Sequence, residues 1–256
     1  MGFKKIFGIS ALLLFLISIF VLYSVIFFEP AINFNETQTN PDFLLKTDKR
    51  PPILMYHSIS KKSSQVTAKN FEKQIKYLVD KGYTFLFLEE IHDSDKYDKP
   101  IIITFDDGYR DNYETAFEIL KKYDAKATIF MITSFIGKDG FLTETQIKEL
   151  EGSGLVRVES HTRDHTDLSK LPPEHANIQI EKSTAALKEI TGREHKILAY
   201  PFGGFNDDVE KIVMENFDIA VATEKGSQRN LAALYRKSVT NRSMLLNMKL
   251  FKKYVE

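Results

Sequence analysis

Ile101-Ile102-Ile103-Thr104-Phe105-Asp106-Asp107-Gly108-Tyr109 is the stretch that decides how this chain folds. A short apolar run rich in isoleucine predicts a buried strand, and Asp-Asp-Gly predicts the turn that ends it. In parallel α/β architectures, ligands and reacting groups gather at the carboxyl ends of the strands, where these two carboxylates fall. Adjacent like charges repel, so the pair needs a compensating partner, either a bound cation or a proton held by one carboxylate. A plain turn is the alternative, because Asp-Gly is ordinary turn chemistry.

Outward from this stretch, strand-like and helix-like segments alternate. Ile53 to His57 is a short apolar strand ending in a histidine. Phe71, Ile75, Leu78 and Val79 fall at helical spacing, and Gly82 stops that helix. Thr84 to Leu88 is a second strand. Past the aspartates, Tyr113, Ala116, Phe117 and Leu120 mark a helix, and Ala127 to Ile132 a strand. Thr143 and Gln146 form a capping box for the next helix. Leu155 to Glu159 is a strand that runs directly into Ser160-His161, and Pro173 opens a long helix closed near Gly192. Ile197 to Tyr200, Asp207 to Asn216, Ile219 to Ala222 and Tyr235 to Val239 continue as strand, helix, strand and strand. Strict alternation implies parallel strands with helical crossovers. Seven or eight of them suit an irregular (β/α)7-8 barrel of the α/β class, with a doubly wound sheet as the alternative.

Before this domain, Ile6 to Phe28 carries no charged residue, follows Lys4 and Lys5, and ends at Glu29-Pro30. The run is long enough to cross a bilayer as a helix and too long for an ordinary signal-peptide core. Residues 1–30 are therefore expected to be a cytoplasmic stub and membrane anchor, with the rest of the chain outside. A cleaved signal peptide, giving a secreted protein, is the alternative. Residues 31–50 are polar, contain Pro41, and are expected to be an extracytoplasmic tether. The folded domain is then residues 51–256. Acidic and basic residues balance at 35 each, so no basic patch argues for nucleic acid. With no cysteine in the chain, disulfides, thiol nucleophiles and thiolate metal sites are excluded.

Glu159-Ser160-His161-Thr162-Arg163-Asp164-His165 places two histidines four apart, just past a strand end. Such a pair can lie on one face of a turn or short helix. With a carboxylate from another strand, the two imidazoles make a divalent-cation site that suits zinc, with cobalt, nickel or iron as alternatives. Thr104-Phe105-Asp106-Asp107-Gly108 followed by Ser160-His161-Thr162-Arg163-Asp164-His165 resembles the polysaccharide deacetylases, the NodB-homology or family 4 carbohydrate esterases. Tyr200-Pro201-Phe202-Gly203 resembles a third motif of that family. The resemblance implies that Asp106 is the general base and that Asp107, His161 and His165 hold the metal. It also places the Phe202 N–H at the oxyanion.

In two places the chain departs from the commonest pattern of that family. No histidine follows His195, where many members keep a late one as the acid. His57, in Met55-Tyr56-His57-Ser58, is the replacement implied by resemblance to the poly-N-acetylglucosamine deacetylases, with a satisfied core histidine as the alternative. Ala199 stands where many members have an arginine that steadies the catalytic aspartate. Arg236 is the candidate substitute, set against a plain surface salt bridge. Tyr200 and Phe202 are expected either to stack on a sugar ring or to pack the barrel mouth. His92, His175 and His195 fall in polar contexts that read as exposed.

The resemblance implies metal-dependent removal of acetyl groups from N-acetylglucosamine residues of a cell-surface polysaccharide, first of all a poly-β-1,6-N-acetylglucosamine exopolysaccharide of a biofilm. Peptidoglycan is the close alternative substrate, and an O-acetyl-polysaccharide esterase would use the same centre. A non-catalytic glycan-binding module is the alternative of a different class. Expected partners are the glycan, the membrane, and exopolysaccharide synthesis or export machinery.

Overall fold

A computed structural model of the chain describes residues 43–47, 50–60, 66–223, 225–240 and 248–255. The expected anchor at 1–30 and most of the tether lie outside the described residues. Among the described residues no helix is long and apolar enough to cross a membrane.

The strands are β1 Ile53–Tyr56, β2 Thr84–Leu86, β3 Pro100–Phe105, β4 Ala127–Met131, β5 Val156–Ser160, β6 Ile197–Ala199, β7 Ile219–Ala222, β8 Leu234–Tyr235 and β9 Lys237–Ser238. Between them run the helices α1 Ala68–Asp80, α2 Glu118–Tyr123, α3 Glu144–Gly152, α4 Pro173–Thr191 and α5 Asp207–Asn216, and α6 Met248–Val255 follows. Helix boundaries follow local chemistry. Thr67 caps α1, the Thr143–Gln146 box caps α3, and Asn206 caps α5, each side chain accepting from a first-turn N–H. Pro173 sits at the first turn of α4, and Gly192 ends that helix with φ +75°. α2 is preceded by a π-helical turn, Asn112–Phe117, of the kind found mostly beside functional sites.

Every ladder is parallel, in the order β8-β7-β6-β5-β4-β3-β1-β9, with β2 also on β3. β8 and β9 are two halves of one extended segment, parted by Arg236. Leu234 and Tyr235 pair with Val221 and Ala222 of β7, while Lys237 and Ser238 pair with Leu54 and Met55 of β1. One segment therefore joins the two ends of the sheet and closes the barrel. The expected barrel is observed, and the doubly wound alternative is set aside.

The period of two along each strand sorts residues into two layers. Ile101, Ile103 and Phe105 of β3 pack outward, in the layer beneath α1, α2 and α3. Ile102 faces inward with Ile53, Phe130, Ala199, Val221 and Leu234. Continuing that inward parity gives Thr104 on β3, Asp106 just after it, His57 after β1 and Arg236 after β8. Leu198 and Tyr200 take the opposite parity and pack against α4 and α5.

The end of the expected tether belongs to the domain. Leu45 is buried, its N–H donates to the Arg229 carbonyl at 2.8 Å, and Leu44 forms an antiparallel bridge with Asn230. Composition suggested a tether up to Arg50 because polar residues on either side, Asn35 to Asp42 and Lys46 to Arg50, hide the short apolar stretch Phe43-Leu44-Leu45.

Gly108 makes the turn after β3 with φ +76°, and a Cβ there would lie 2.1 Å from Met131 Sδ on β4. Gly108→Ala is expected to lower stability by about 1–3 kcal/mol through backbone strain and overpacking. Thermal unfolding of the two proteins checks this. An unchanged midpoint would show that the turn tolerates a side chain.

Candidate active site

The barrel mouth is built on the closing strand. Arg236 is 1% exposed and Asp106 3%, so this ion pair is sealed from water. Its geometry is bidentate: Nη1 donates to Oδ1 at 2.6 Å and Nη2 to Oδ2 at 2.7 Å. Nη1 also donates to Thr104 Oγ1 at 3.0 Å, and the guanidinium carbon lies 5.2 Å from the Phe130 ring centre. Burial by itself would raise the Asp106 pKa. The charge of Arg236, foremost, and its hydrogen bonds overcome it, with the imidazoles of His161 and His57 adding positive charge only when protonated, and the carboxyl is held at about 2. The surface salt bridge considered for Arg236 is thus replaced by a buried one. The strand register explains it, since Arg236 shares the inward parity of Leu234.

Asp107, the other half of the pair, turns away from the arginine. Its Oδ1 lies 3.6 Å from His161 Nε2 and 3.5 Å from His165 Nε2. One ligand atom from each of Asp107, His161 and His165 falls within 4.8 Å of the others. His161 Nδ1 sits 2.8 Å from the Ala199 carbonyl, an acceptor only, so Nδ1 carries the proton and the Nε2 lone pair faces Asp107. Burial, foremost, keeps the His161 pKa below its ordinary value despite the two aspartates that raise it. A neutral imidazole aimed at a carboxylate, with a second imidazole beside it, is a donor set that fits a divalent cation such as zinc. Tyr109, to which the sequence assigned no role, is half-buried beside Asp107. Burial, then the charge of Asp107, pushes that phenol up to about 12.

The two histidines meet by a left-handed turn, not along a helix face. Thr162 has φ +64° and His165 φ +56°. Helix α4 holds this turn through Gln179. Its Oε1 accepts from the Asp164 N–H at 2.9 Å, its Nε2 donates to Asp164 Oδ2 at 2.9 Å, and its carbonyl accepts from the Arg163 N–H at 3.1 Å. Asp107 (φ +75°) and Phe202 (φ +57°) are left-handed as well. Each such residue costs of order 1–3 kcal/mol, and strain of this kind concentrates at functional sites.

His57 follows β1, half-buried, near enough for its charge to act on Asp106. Phe202 is 71% exposed and packs on His165, ring centres 4.5 Å apart. Pro201 is buried beneath it. Tyr200 does not reach the mouth. It is buried with outward parity, stacks on Phe205 and donates to the Ala232 carbonyl at 2.7 Å, so it packs the core and has no face for a sugar. His195 is also buried, against the expectation of exposure. Its Nε2 is 2.8 Å from Thr191 Oγ1 and its Nδ1 3.4 Å from Glu159 Oε2. His92 and His175 are exposed, as read from their polar surroundings.

Comparison with known proteins agrees with this geometry. Residues 93–218 match the family model described as polysaccharide deacetylase. The Bacillus subtilis protein YxkH, assigned to the polysaccharide deacetylases, is 37% identical over 224 residues, covering 83% of this chain and 80% of that one. A poly-β-1,6-N-acetyl-D-glucosamine N-deacetylase of Staphylococcus aureus is 34% identical over 61% of this chain and 60% of its own. Among solved structures, the Streptococcus pyogenes deacetylase PplD in complex with acetate superposes with a TM-score of 0.75 at 30% identity, covering 82% of this chain and 100% of that one. The barrel, the aspartate pair and the histidine turn thus belong together: this chain is a member of the polysaccharide deacetylase family, hydrolases that act on N-acetyl amide bonds.

Proposed function

We propose that this chain removes acetyl groups from N-acetylglucosamine residues of a cell-surface poly-β-1,6-linked glycan, with Asp106 as base and His57 as acid. The observation that carries the reading is the division of the aspartate pair, with Asp106 locked on Arg236 and Asp107 turned to two imidazoles. Support for the substrate comes from the name of the Staphylococcus aureus relative, of which this chain spans 60%, and from the resemblance of the Met55-Tyr56-His57 start to the poly-N-acetylglucosamine deacetylases. Residues 1–30 are proposed to anchor the enzyme, with the barrel outside the membrane; the uncharged run after Lys4 and Lys5 supports this.

Asp107, His161 and His165 would hold a divalent cation, most simply zinc. When bound, such an ion supplies Lewis acidity toward water and toward the acetyl carbonyl. The residues of the chain do the rest. The Asp106 carboxylate takes a proton from the attacking water as its oxygen bonds to the acetyl carbon. The Phe202 N–H donates to the carbonyl oxygen as negative charge grows there. His57, protonated, gives its proton to the amide nitrogen as the C–N bond breaks, releasing acetate and a free amine. Arg236 keeps Asp106 ionised and fixes both carboxylate oxygens, so the lone pair used on the proton has one direction. The exposed ring of Phe202 offers an apolar face beside the reacting group.

Acetate release from β-1,6-linked N-acetylglucosamine oligomers, compared with β-1,4-linked oligomers and peptidoglycan, tests the substrate. Preference for the β-1,6 series is expected, and release from none of the three would sink the enzyme reading. Asp106→Asn is expected to cut turnover by at least about 100-fold while metal content, measured by elemental analysis, is kept. His161→Ala is expected to lose the ion. The Asp106 pKa also sets a pH dependence. Because its folded value lies below the unfolded one, its contribution to stability is present above about pH 4 and fades as pH falls toward 2. The stability difference between wild type and Asp106→Asn, followed by denaturant unfolding, should stay level above that window and shrink within it. A difference that shrinks near neutral pH would mean Asp106 is protonated in the folded protein.

A further inference from the structure

Asp106 and His57 sit on different strands, and a general base and acid acting on one amide must keep a fixed separation. What fixes it lies just beyond the aspartate turn. Asp111, five residues after Asp106, accepts from Ser58 Oγ at 2.5 Å with Oδ2 and from the Ile59 N–H at 3.1 Å with Oδ1. Asn112 is 1% exposed, and its Nδ2 donates to the His57 carbonyl at 2.9 Å and to Asp111 Oδ1 at 3.3 Å. The two adjacent side chains therefore hold three consecutive residues, by the His57 carbonyl, the Ser58 hydroxyl and the Ile59 N–H. Asn112 also begins the π-helical turn, a rare geometry found frequently at functional sites.

We infer that Asp111 and Asn112 are positioning residues for His57, so that one loop, Asp106 to Asn112, sets base, metal-ligand carboxylate and acid together. Three features carry this. Asp111 uses both oxygens on the same short segment. Asn112, buried, directs its amide at the carbonyl of the histidine itself. At the start of the loop the Asp106 N–H donates to the Tyr56 carbonyl, so the loop is tied to the same segment at both ends of its length. The clamp explains how a histidine at the start of the domain substitutes for a late one. β1 pairs with β3 from Ile53↔Ile102 to Tyr56↔Phe105, which brings position 57 level with Asp106, and the Asp106 N–H donates to the Tyr56 carbonyl at 2.9 Å. Beyond Tyr56 the ladder stops, and side chains take over from backbone pairing. This inference rests on His57 acting as the acid.

The test is a double-mutant cycle on acetate release, with Asp111→Ala and Asn112→Ala each made in wild type and in His57→Ala. Each clamp variant is expected to lower kcat by about tenfold to 100-fold with KM little changed, since a misplaced acid weakens only the bond-breaking step. In the His57→Ala background the same substitutions should cost little more, and the limb of the pH–rate profile that His57→Ala abolishes should shift in the single clamp variants. Metal content should stay at the wild-type level throughout. Ser58→Ala, which removes one bond and leaves the aspartate, covers the case in which Asp111→Ala does not fold, and should give a smaller loss of the same kind. Equal losses in both backgrounds, or full activity in all the clamp variants, would overturn the positioning role. If His57→Ala itself retains wild-type turnover, the acid assignment fails instead, which the cycle reports separately.

Discussion

One buried ion pair governs the rest of this structure. Arg236 and Asp106 are both shut away from water, and removing one partner of such a pair typically costs about 3–5 kcal/mol because the other is left charged and unpaired. The pair is also a strand contact. Arg236 lies at the joint of the segment that closes the barrel, and Asp106 lies just past the end of β3, which only β1 separates from β9. Barrel closure and the state of the carboxylate are therefore one event. A closing strand out of register by one residue would turn Arg236 outward and leave Asp106 buried with no guanidinium to answer its charge.

The aspartate pair becomes tolerable by division of labour. Asp106 is neutralised by the guanidinium, and Asp107 is presented to His161 and His165. The strain gathered here, four non-glycine residues at positive φ, is what makes the side chains converge. It is held by ordinary local chemistry: the Gln179 side chain on the histidine turn, the Ala199 carbonyl on His161, and the absence of a Cβ at Gly108.

Much of this was legible in the residues themselves. Strand and helix alternation predicted the barrel. Asp106, Asp107, His161 and His165 announced themselves as charge and imidazole at strand ends, and the structure brings them together. The strand period would also have placed Tyr200 on the outer layer, two residues from Leu198, which leaves Phe202 alone at the mouth. Other features depend on long-range register that local pattern does not carry. Arg236 faces Asp106 only because a two-residue half-strand switches partners from β7 to β1. Likewise His195 is buried because Glu159 and Thr191 approach it from β5 and the end of α4. Of the turn and the short helix that the His-x-x-x-His spacing allows, the structure takes the turn, with Thr162 and His165 left-handed. Phe43 to Leu45 escaped because a few apolar residues in a polar stretch give no period to read.

The most direct measurement is turnover and metal content of Arg236→Lys. Lysine keeps the positive charge, so the barrel should still close, but a single ammonium cannot bond both carboxylate oxygens as the guanidinium fork does. The expected result is a folded protein with its metal retained and acetate release reduced about 100-fold. Turnover close to that of wild type would contradict the central claim that the closing strand, through Arg236, sets the base.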